Sequence, residues 1–400
     1  MIIDNIVKNG KIDISESEWN WWKDLKKEED SDVMDAIKHE ISDEIYKNNV
    51  PLPLKHPTLS EALKDFKRLC KFDAMQLLIH KKFYTKYEYS VKPSNILISQ
   101  TRIGNKSSDY FHYKERFACD SITAPSPKRV WKDERFRLTL LNGLWSLKFK
   151  KVGMSELAYL ILSKKYVASQ FKPAVAKCLY QSFGAKRVLD FSAGWGDRLA
   201  GFCATLGTEY YLGVDPNTSL HKNYKAQIEA YNVHKKIEMI NKPAEDVTLD
   251  QKFDFIFTSP PYFDLERYSD DEMQSWKRYK VPKHFDVKHN DRDDCYLNRW
   301  LEGFLFKSID NSYNALDKDG YIVINISDVY CHHRINQICD PMIKFMHGYK
   351  DLKFVGFWGM SLSVRQNSAI SRSAHLLSLL PVEEVENGLF AEPIFIWKKT

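Results

Sequence analysis

The chain has 400 residues, of which 44% are hydrophobic, 14% aromatic and 28% charged, an ordinary globular composition that suits two or three domains with a core of their own. No apolar run approaches the roughly 18 residues of a membrane span. Met1-Ile2-Ile3-Asp4 lacks the basic start and cleavage site of a signal peptide. Neither membrane insertion nor secretion is therefore expected, and the protein is placed inside the cell. That means the cytoplasm, or a host cell if the Lys-, Ile- and Asn-rich usage reflects a viral genome.

The seven cysteines are scattered and form no C-x-x-C pair, which fits a reducing compartment. Cys331-His332-His333 with Cys339 has no second ligand arm. It reads as a helix start with a buried thiol, and no metal is expected.

The net charge of +6 is uneven. Residues 1–50 carry 7 Lys/Arg against 13 Asp/Glu, residues 51–170 carry 23 against 10, and the remainder is nearly balanced. One basic segment interleaved with aromatics predicts a polyanionic partner, with Lys128, Arg129, Arg135 and Arg137 on phosphates and Tyr84 and Tyr87 stacking on single-stranded bases.

In chain order, residues 1–50 predict polar helices with a packing knob at Trp19, Trp21 and Trp22. Pro51, Pro53 and Pro57 mark a break. Helical spacing of apolar residues predicts one or two helices over Leu59–His80. Residues 81–150 alternate aromatic and basic side chains. From Arg187 onward short apolar strands alternate with helices. The strands are Arg187–Phe191, Tyr210–Val214, Ile237–Ile240, Phe253–Thr258, Tyr321–Ile326, Phe354–Phe357 and Ile394–Trp397. The helices fall near Arg198–Leu206, Ser219–Tyr231, Leu297–Leu316 and Arg334–Phe345. That alternation predicts an α/β fold with a mostly parallel, doubly wound sheet, whose ligands bind at the carboxyl ends of the strands.

The first of these strands ends at Asp190 and enters Phe191-Ser192-Ala193-Gly194-Trp195-Gly196-Asp197-Arg198. Gly194 and Gly196 permit a tight turn and close backbone approach to a ligand. A dinucleotide fingerprint needs a third glycine, which Leu199 replaces. Asp190 and Asp197 would repel a pyrophosphate but suit an ammonium group and a sulfonium. The second strand ends at Asp215-Pro216, placing a carboxylate where a ribose diol could be held. The third is followed by Glu245 and Asp246, a pair able to read an adenine edge.

These sites, in this order, resemble the nucleoside-methionine pocket of class I S-adenosylmethionine-dependent methyltransferases. The resemblance implies S-adenosyl-L-methionine as cofactor. It makes Ser192, Ala193, Gly194, Gly196 and the acidic residues above its ligands. Gln170-Phe171-Lys172-Pro173 resembles the segment that closes over the methionine end in amino-methyltransferases, which adds Phe171, Lys172 and Pro173.

The fourth strand opens into Ser259-Pro260-Pro261-Tyr262. After a buried strand and downstream of the cofactor sites, this tetrapeptide resembles the signature of methyltransferases acting on exocyclic or amide nitrogens. Such a nitrogen is a poor nucleophile, because its lone pair is delocalised into the ring. Ser259 Oγ and the Pro260 carbonyl can accept its two N–H bonds and turn the lone pair outward. The two prolines hold that carbonyl rigidly, and Tyr262 offers a face for a flipped base.

The resemblance covers roughly residues 168–400 and implies a Rossmann-like sheet of seven strands. Residues 1–167 form a separate, mainly helical and basic region. The reading favours a DNA amino-methyltransferase, cytosine N4 slightly before adenine N6. Its alternatives are an RNA base N-methyltransferase and a non-catalytic nucleic-acid-binding protein that keeps the fold. Only about 65 residues separate the two motifs. Target recognition is therefore expected from the N-terminal half, the Asp264–Asp294 insert, or the Ser361–His375 loop with Arg365 and Arg372.

Overall fold

The structure, a computed structural model, describes residues 6–28, 31–121, 124–163, 167–279, 293–331, 334–362 and 390–400. His332 and His333, residues 280–292 of the first recognition segment, and residues 363–375 of the second with Arg365 and Arg372 lie outside the described residues. The chain forms two compact units. One joins residues 1–56 with 114–169, the other residues 57–113 with 170–400. The sequence places a boundary at 167/168; the two units exchange at 56/57, 113/114 and 169/170, and residues 57–113 pack with the α/β part.

In the smaller unit, strands Val7–Lys8, Lys11–Ile14 and Val152–Gly153 form an antiparallel sheet beside helices Glu16–Glu28 and Ser31–Lys47. Trp19 and Trp22 are buried, and Trp19 stacks on Trp145 at 4.9 Å, so this knob is core; Trp21 is exposed. Arg137, expected on phosphate, is only 2% exposed. Its Nε donates to Ser42 Oγ at 2.8 Å and its Nη1 to the Trp131 carbonyl at 2.7 Å. A guanidinium buried in this way holds two segments together and cannot reach a ligand. Arg129 pairs with Asp120 at 3.0 Å and lies over the Phe136 ring, which Arg135 also covers. Acidic 1–56 and basic 114–169 fold into one unit, which carries 20 Lys/Arg against 18 Asp/Glu.

The larger unit is built on a ten-stranded sheet. Its strands are Leu78–His80 (β1), Tyr84–Thr85 (β2), Pro93–Ile98 (β3), Arg187–Asp190 (β4), Tyr210–Val214 (β5), Lys236–Ile240 (β6), Phe253–Thr258 (β7), Leu316–Asn325 (β8), Leu352–Ser361 (β9) and Phe390–Lys399 (β10). The order is β6-β5-β4-β7-β8-β10-β9-β3-β1, with β2 on β10. Strands β4 to β8 run parallel, and β10 is antiparallel to both β8 and β9. This is the mostly parallel, doubly wound α/β sheet expected from the sequence, with its seven strands from Arg187 onward widened by three from residues 78–98. The expected helix over Leu59–His80 ends at Lys71, Leu78–His80 being strand, and residues 81–98 are not the free aromatic-basic surface that the sequence predicts. Tyr87 is instead buried and Tyr84 packs against Phe390, so neither presents a free face to a base.

The helices that position the site are Leu59–Lys71 (α1), Asn105–Arg116 (α2), Pro173–Ser182 (α3), Asp197–Ala204 (α4), Thr218–Tyr231 (α5) and Cys339–Met346 (α6). α1 starts on a capping box, Thr58 and Glu61 exchanging hydrogen bonds with each other's backbone N–H. The helix expected over Leu297–Leu316 runs from Asp293 with π-type bonding at Leu301–Phe306, and yields to strand at Leu316. The helix expected from Arg334 begins only at Cys339. Residues Val329–Cys331 and Arg334–Asn336 pair as a hairpin, and Asp328 Oδ1 accepts the N–H groups of Ile338 and Cys339, fixing the start there. No helix of the described residues is long and apolar enough to cross a membrane, and no cluster of three metal-ligating side chains occurs among them.

Candidate active site

The strand order reverses between β4 and β7, and in such sheets the crevice for ligands lies at the carboxyl ends there. Register puts Asp190 opposite Gly213 and Val214 opposite Ile240, so the loops after β4, β5 and β6 emerge together.

Asp190 is fully buried and turned inward. Arg198 Nε donates to it at 2.7 Å and Tyr211 Oη at 2.8 Å, while Arg198 also reaches the Ser192 carbonyl. These contacts make Asp190 a clamp on the loop, and its oxygens are not presented to a ligand's ammonium. The loop turns on Gly194 and Gly196, with φ of +61° and +68°. Tyr224 Oη donates to the Gly194 carbonyl, and Ala193 N–H to that of Val214 at 3.0 Å.

Asp215, at the end of β5, accepts the N–H of Gly194 at 2.8 Å and that of Asn217 at 2.9 Å. Burial pushes its carboxyl up to about 7, against the lowering effect of those two bonds. Asn217 Nδ2 is buried with no hydrogen-bond partner beside it. Pro216 lies between the two. A buried acceptor next to an orphan donor fits a polar ligand with hydroxyl groups.

Asp197 begins α4 and accepts from Ser108 Oγ and from Gln170 Nε2 at 2.7 Å. Burial raises it to about 7 as well. Gln170 Nε2 also bonds the Asn105 carbonyl. Behind Gly196, His112 Nε2 meets Gln227 Oε1 at 2.9 Å, and burial lowers this imidazole to about 4. Ser108 and His112 come from α2, far upstream of the glycine loop. Nothing in their sequence context marks them.

The segment after Gln170 reaches the same region. The Phe171 ring lies 5.7 Å from Phe257 of β7 and under the Arg198 guanidinium, Lys172 caps α3, and Pro173 is its first residue. Glu245 and Asp246 sit in a 3₁₀ turn and are both engaged. Arg278 bonds Asp246 at 2.6 Å and Glu245 at 3.2 Å, and Tyr279 Oη donates to Glu245 at 2.8 Å. Arg278 and Tyr279 thus pack on the two acids expected to face adenine, and no motif in the sequence marks them.

Ser259 leaves β7 with its Oγ 3.4 Å from Asn325 Oδ1 of β8. Pro260 is buried and Pro261 half-buried. Tyr262 Oη donates to Glu392 Oε1 of β10 at 2.6 Å, while Asn325 Nδ2 bonds the Pro393 carbonyl at 3.0 Å. Burial raises the Glu392 carboxyl above its ordinary value. The next residue, Phe263, has φ +56° and is buried against Trp300. A bulky non-glycine residue in that region is strained, which fits a chain held in an imposed shape. Trp195 of the glycine loop meets Tyr268 at 5.5 Å, joining the two halves of the site.

No protein-family model matches this chain, and no curated protein matches it. Solved structures do resemble it. TehB from Haemophilus influenzae is 15% identical with TM-score 0.35, over 60% of this chain and 66% of its own. An O-methyltransferase of Brevibacillus brevis in complex with S-adenosyl-L-homocysteine is 12% identical with TM-score 0.35, over 60% and 75%. TrmN from Thermus thermophilus is 11% identical with TM-score 0.34, over 57% and 49%. The chain thus spans just under two thirds of TehB and about half of TrmN. At such identities the function rests on the residues above.

Proposed function

We propose that this chain is an S-adenosyl-L-methionine-dependent methyltransferase acting on an exocyclic amino nitrogen of a nucleobase. The observation that supports it is one juxtaposition. A glycine loop with a buried Asp215 and an orphan Asn217 amide follows β4 and β5, and a rigid Ser259-Pro260-Pro261-Tyr262 follows the adjacent β7. Asp215 would hold the ribose hydroxyls, Gly194 and Gly196 would let the backbone approach the ligand, and Glu245 with Asp246 would line the adenine side.

The bound cofactor supplies a methyl carbon carried on sulfonium sulfur. The chain's own part is to hold the acceptor. Ser259 Oγ and the Pro260 carbonyl take the two N–H bonds, so the nitrogen lone pair faces the methyl group. Methyl transfer would break the sulfonium's S–C bond, leaving a neutral thioether, and make the acceptor nitrogen cationic. Its hydrogen bonds to Ser259 and the Pro260 carbonyl would stabilise that charge until one N–H proton is lost to water. Glu392 fixes Tyr262 by its hydroxyl, leaving the ring to stack on the base. Ser259 at the head of the tetrapeptide favours cytosine N4 in DNA; RNA is the second reading, because the same groups would hold an RNA base.

Incubation with methyl-labelled cofactor and separate DNA and RNA pools, followed by nucleoside analysis, tests this. Label on an exocyclic nitrogen is expected. Ser259→Ala and Tyr262→Ala should each lower the rate about 10²-fold or more while cofactor affinity stays near wild type. If both variants methylate normally, the tetrapeptide is only a strand terminator.

A further inference from the structure

We propose that the cleft along α1 seats the phosphate backbone of the nucleic-acid substrate. This rests on the acceptor being a nucleic acid. α1 has two faces. Ala62, Phe66 and Leu69 are buried, and Lys64, Lys67, Arg68 and Lys71 line the exposed one at i, i+3, i+4 and i+7. A cavity of about 860 Å³ opens along that face, with Ile103 and Lys106 also lining it.

Its two acids are already engaged. Lys106 Nζ bonds Glu61 at 2.7 Å and its N–H bonds Asp65 at 2.9 Å. No carboxylate of the described residues lies within 4.0 Å of the other four cations as an ion pair. Their charge is free for an outside anion.

The segment that forms the cleft carries the positive excess of the larger unit, and five of its ten cations line the cleft. Residues 170–400 carry 29 Lys/Arg against 30 Asp/Glu, so the surplus of the larger unit comes from residues 57–113, with 10 against 5. The cleft is also fixed to the catalytic framework. Lys177 of α3 donates to the carbonyls of Leu69, Cys70 and Phe72 at the end of α1. Lys106 of the cleft stands two residues before Ser108, which bonds Asp197 of the glycine loop.

The four cations are strung along about 10 Å of helix and do not converge on one point. With successive phosphates of one strand rising about 3.4 Å each along the duplex axis, that line matches several phosphates better than one small anion.

The test uses the full chain with Lys64, Lys67, Arg68 and Lys71 all changed to Gln. A control changes the exposed Lys318, Lys344, Lys350 and Lys353 to Gln, removing the same charge elsewhere in the unit. Binding of a labelled DNA duplex, and of RNA of the same sequence, is followed against salt. The cleft variant should bind about tenfold or more weakly and lose about two to three units of salt slope, with cofactor affinity kept, while the control stays near wild type. Equal losses in both variants, or an unchanged slope in the cleft variant, overturn the cleft while the acceptor reading stands. A wild-type protein that binds neither polymer brings down both. Polyglutamate competing as well as unlabelled nucleic acid would overturn the assignment to phosphates.

Discussion

Two glycines with left-handed backbone separate what the glycine loop needs from what any turn needs. At Gly207, φ is +84° and an added Cβ would meet nothing within 4 Å. At Gly196, φ is +68° and the Cβ would lie 2.2 Å from Gln227 Oε1 and 2.9 Å from His112 Nε2. Gln227 cannot swing aside cheaply, because its Nε2 bonds the Gly196 carbonyl and Tyr231 Oη. Gly207→Ala should therefore cost only the conformational strain, about 1–2 kcal/mol. Gly196→Ala should cost about 2–4 kcal/mol, the strain plus a steric term, and weaken cofactor binding. Denaturant unfolding of both variants decides it; equal costs would mean that His112 and Gln227 do not brace the loop. The tight turn at Gly194 and Gly196 was legible in the sequence, as was the Asp215 carboxylate at a strand end; Gly207 was not singled out. The role of Asp190 was not. Its partner Arg198 is eight residues away, and only the turn of the loop brings the two together.

At the scale of elements, the strands buried on both faces were the readable ones. Tyr210–Val214 and Phe253–Thr258 were placed to the residue, because a parallel strand covered on both sides is a continuous apolar run. Residues 78–98 were not, since short strands of two to six residues with mixed polarity leave no such run. The attachment of α1 was equally hidden. It depends on Lys177, a residue only 3% exposed whose ammonium donates to three carbonyls at 2.8–2.9 Å. Burial lowers its proton affinity, but those carbonyls and the helix dipole favour the charged form. Lys177→Met keeps the length and removes the donor. At about 1.5–3 kcal/mol for a hydrogen bond to a charged group, and without full additivity, it should destabilise by about 2–4 kcal/mol. A change within about 0.5 kcal/mol in chemical denaturation would show that the ammonium is not what caps α1.

For the whole molecule, charge read along the chain and charge after folding differ, and pH makes the difference measurable. Asp197 and Asp215 rise from 3.8 to about 7, so between pH 4 and 7 the folded state holds protons that the unfolded chain releases. Each contributes stability that is full below its ordinary value and lost as pH climbs through about 7. His112 falls from 6.5 to about 4 and acts in the opposite sense, its contribution vanishing as pH drops through about 4. Two carboxyls outweigh one imidazole across their shared window. The ligand-free protein should therefore lose up to about 1.4 kcal/mol per pH unit there from these three groups. A ligand whose ribose hydroxyls donate to Asp215 favours its ionised form and reverses that loss at the site. Affinity for S-adenosyl-L-homocysteine should then rise about tenfold from pH 6 to pH 8, and its thermal stabilisation of the protein should grow in step. Asp215→Asn keeps the shape but cannot ionise, so its affinity should be weaker at pH 8 and nearly flat with pH. Calorimetry on both proteins at the two pH values separates the cases, because any titration of the ligand's own amino group appears in both. If the variant shows the same rise as wild type, Asp215 does not hold the ribose, and the proposed cofactor pocket loses its central residue.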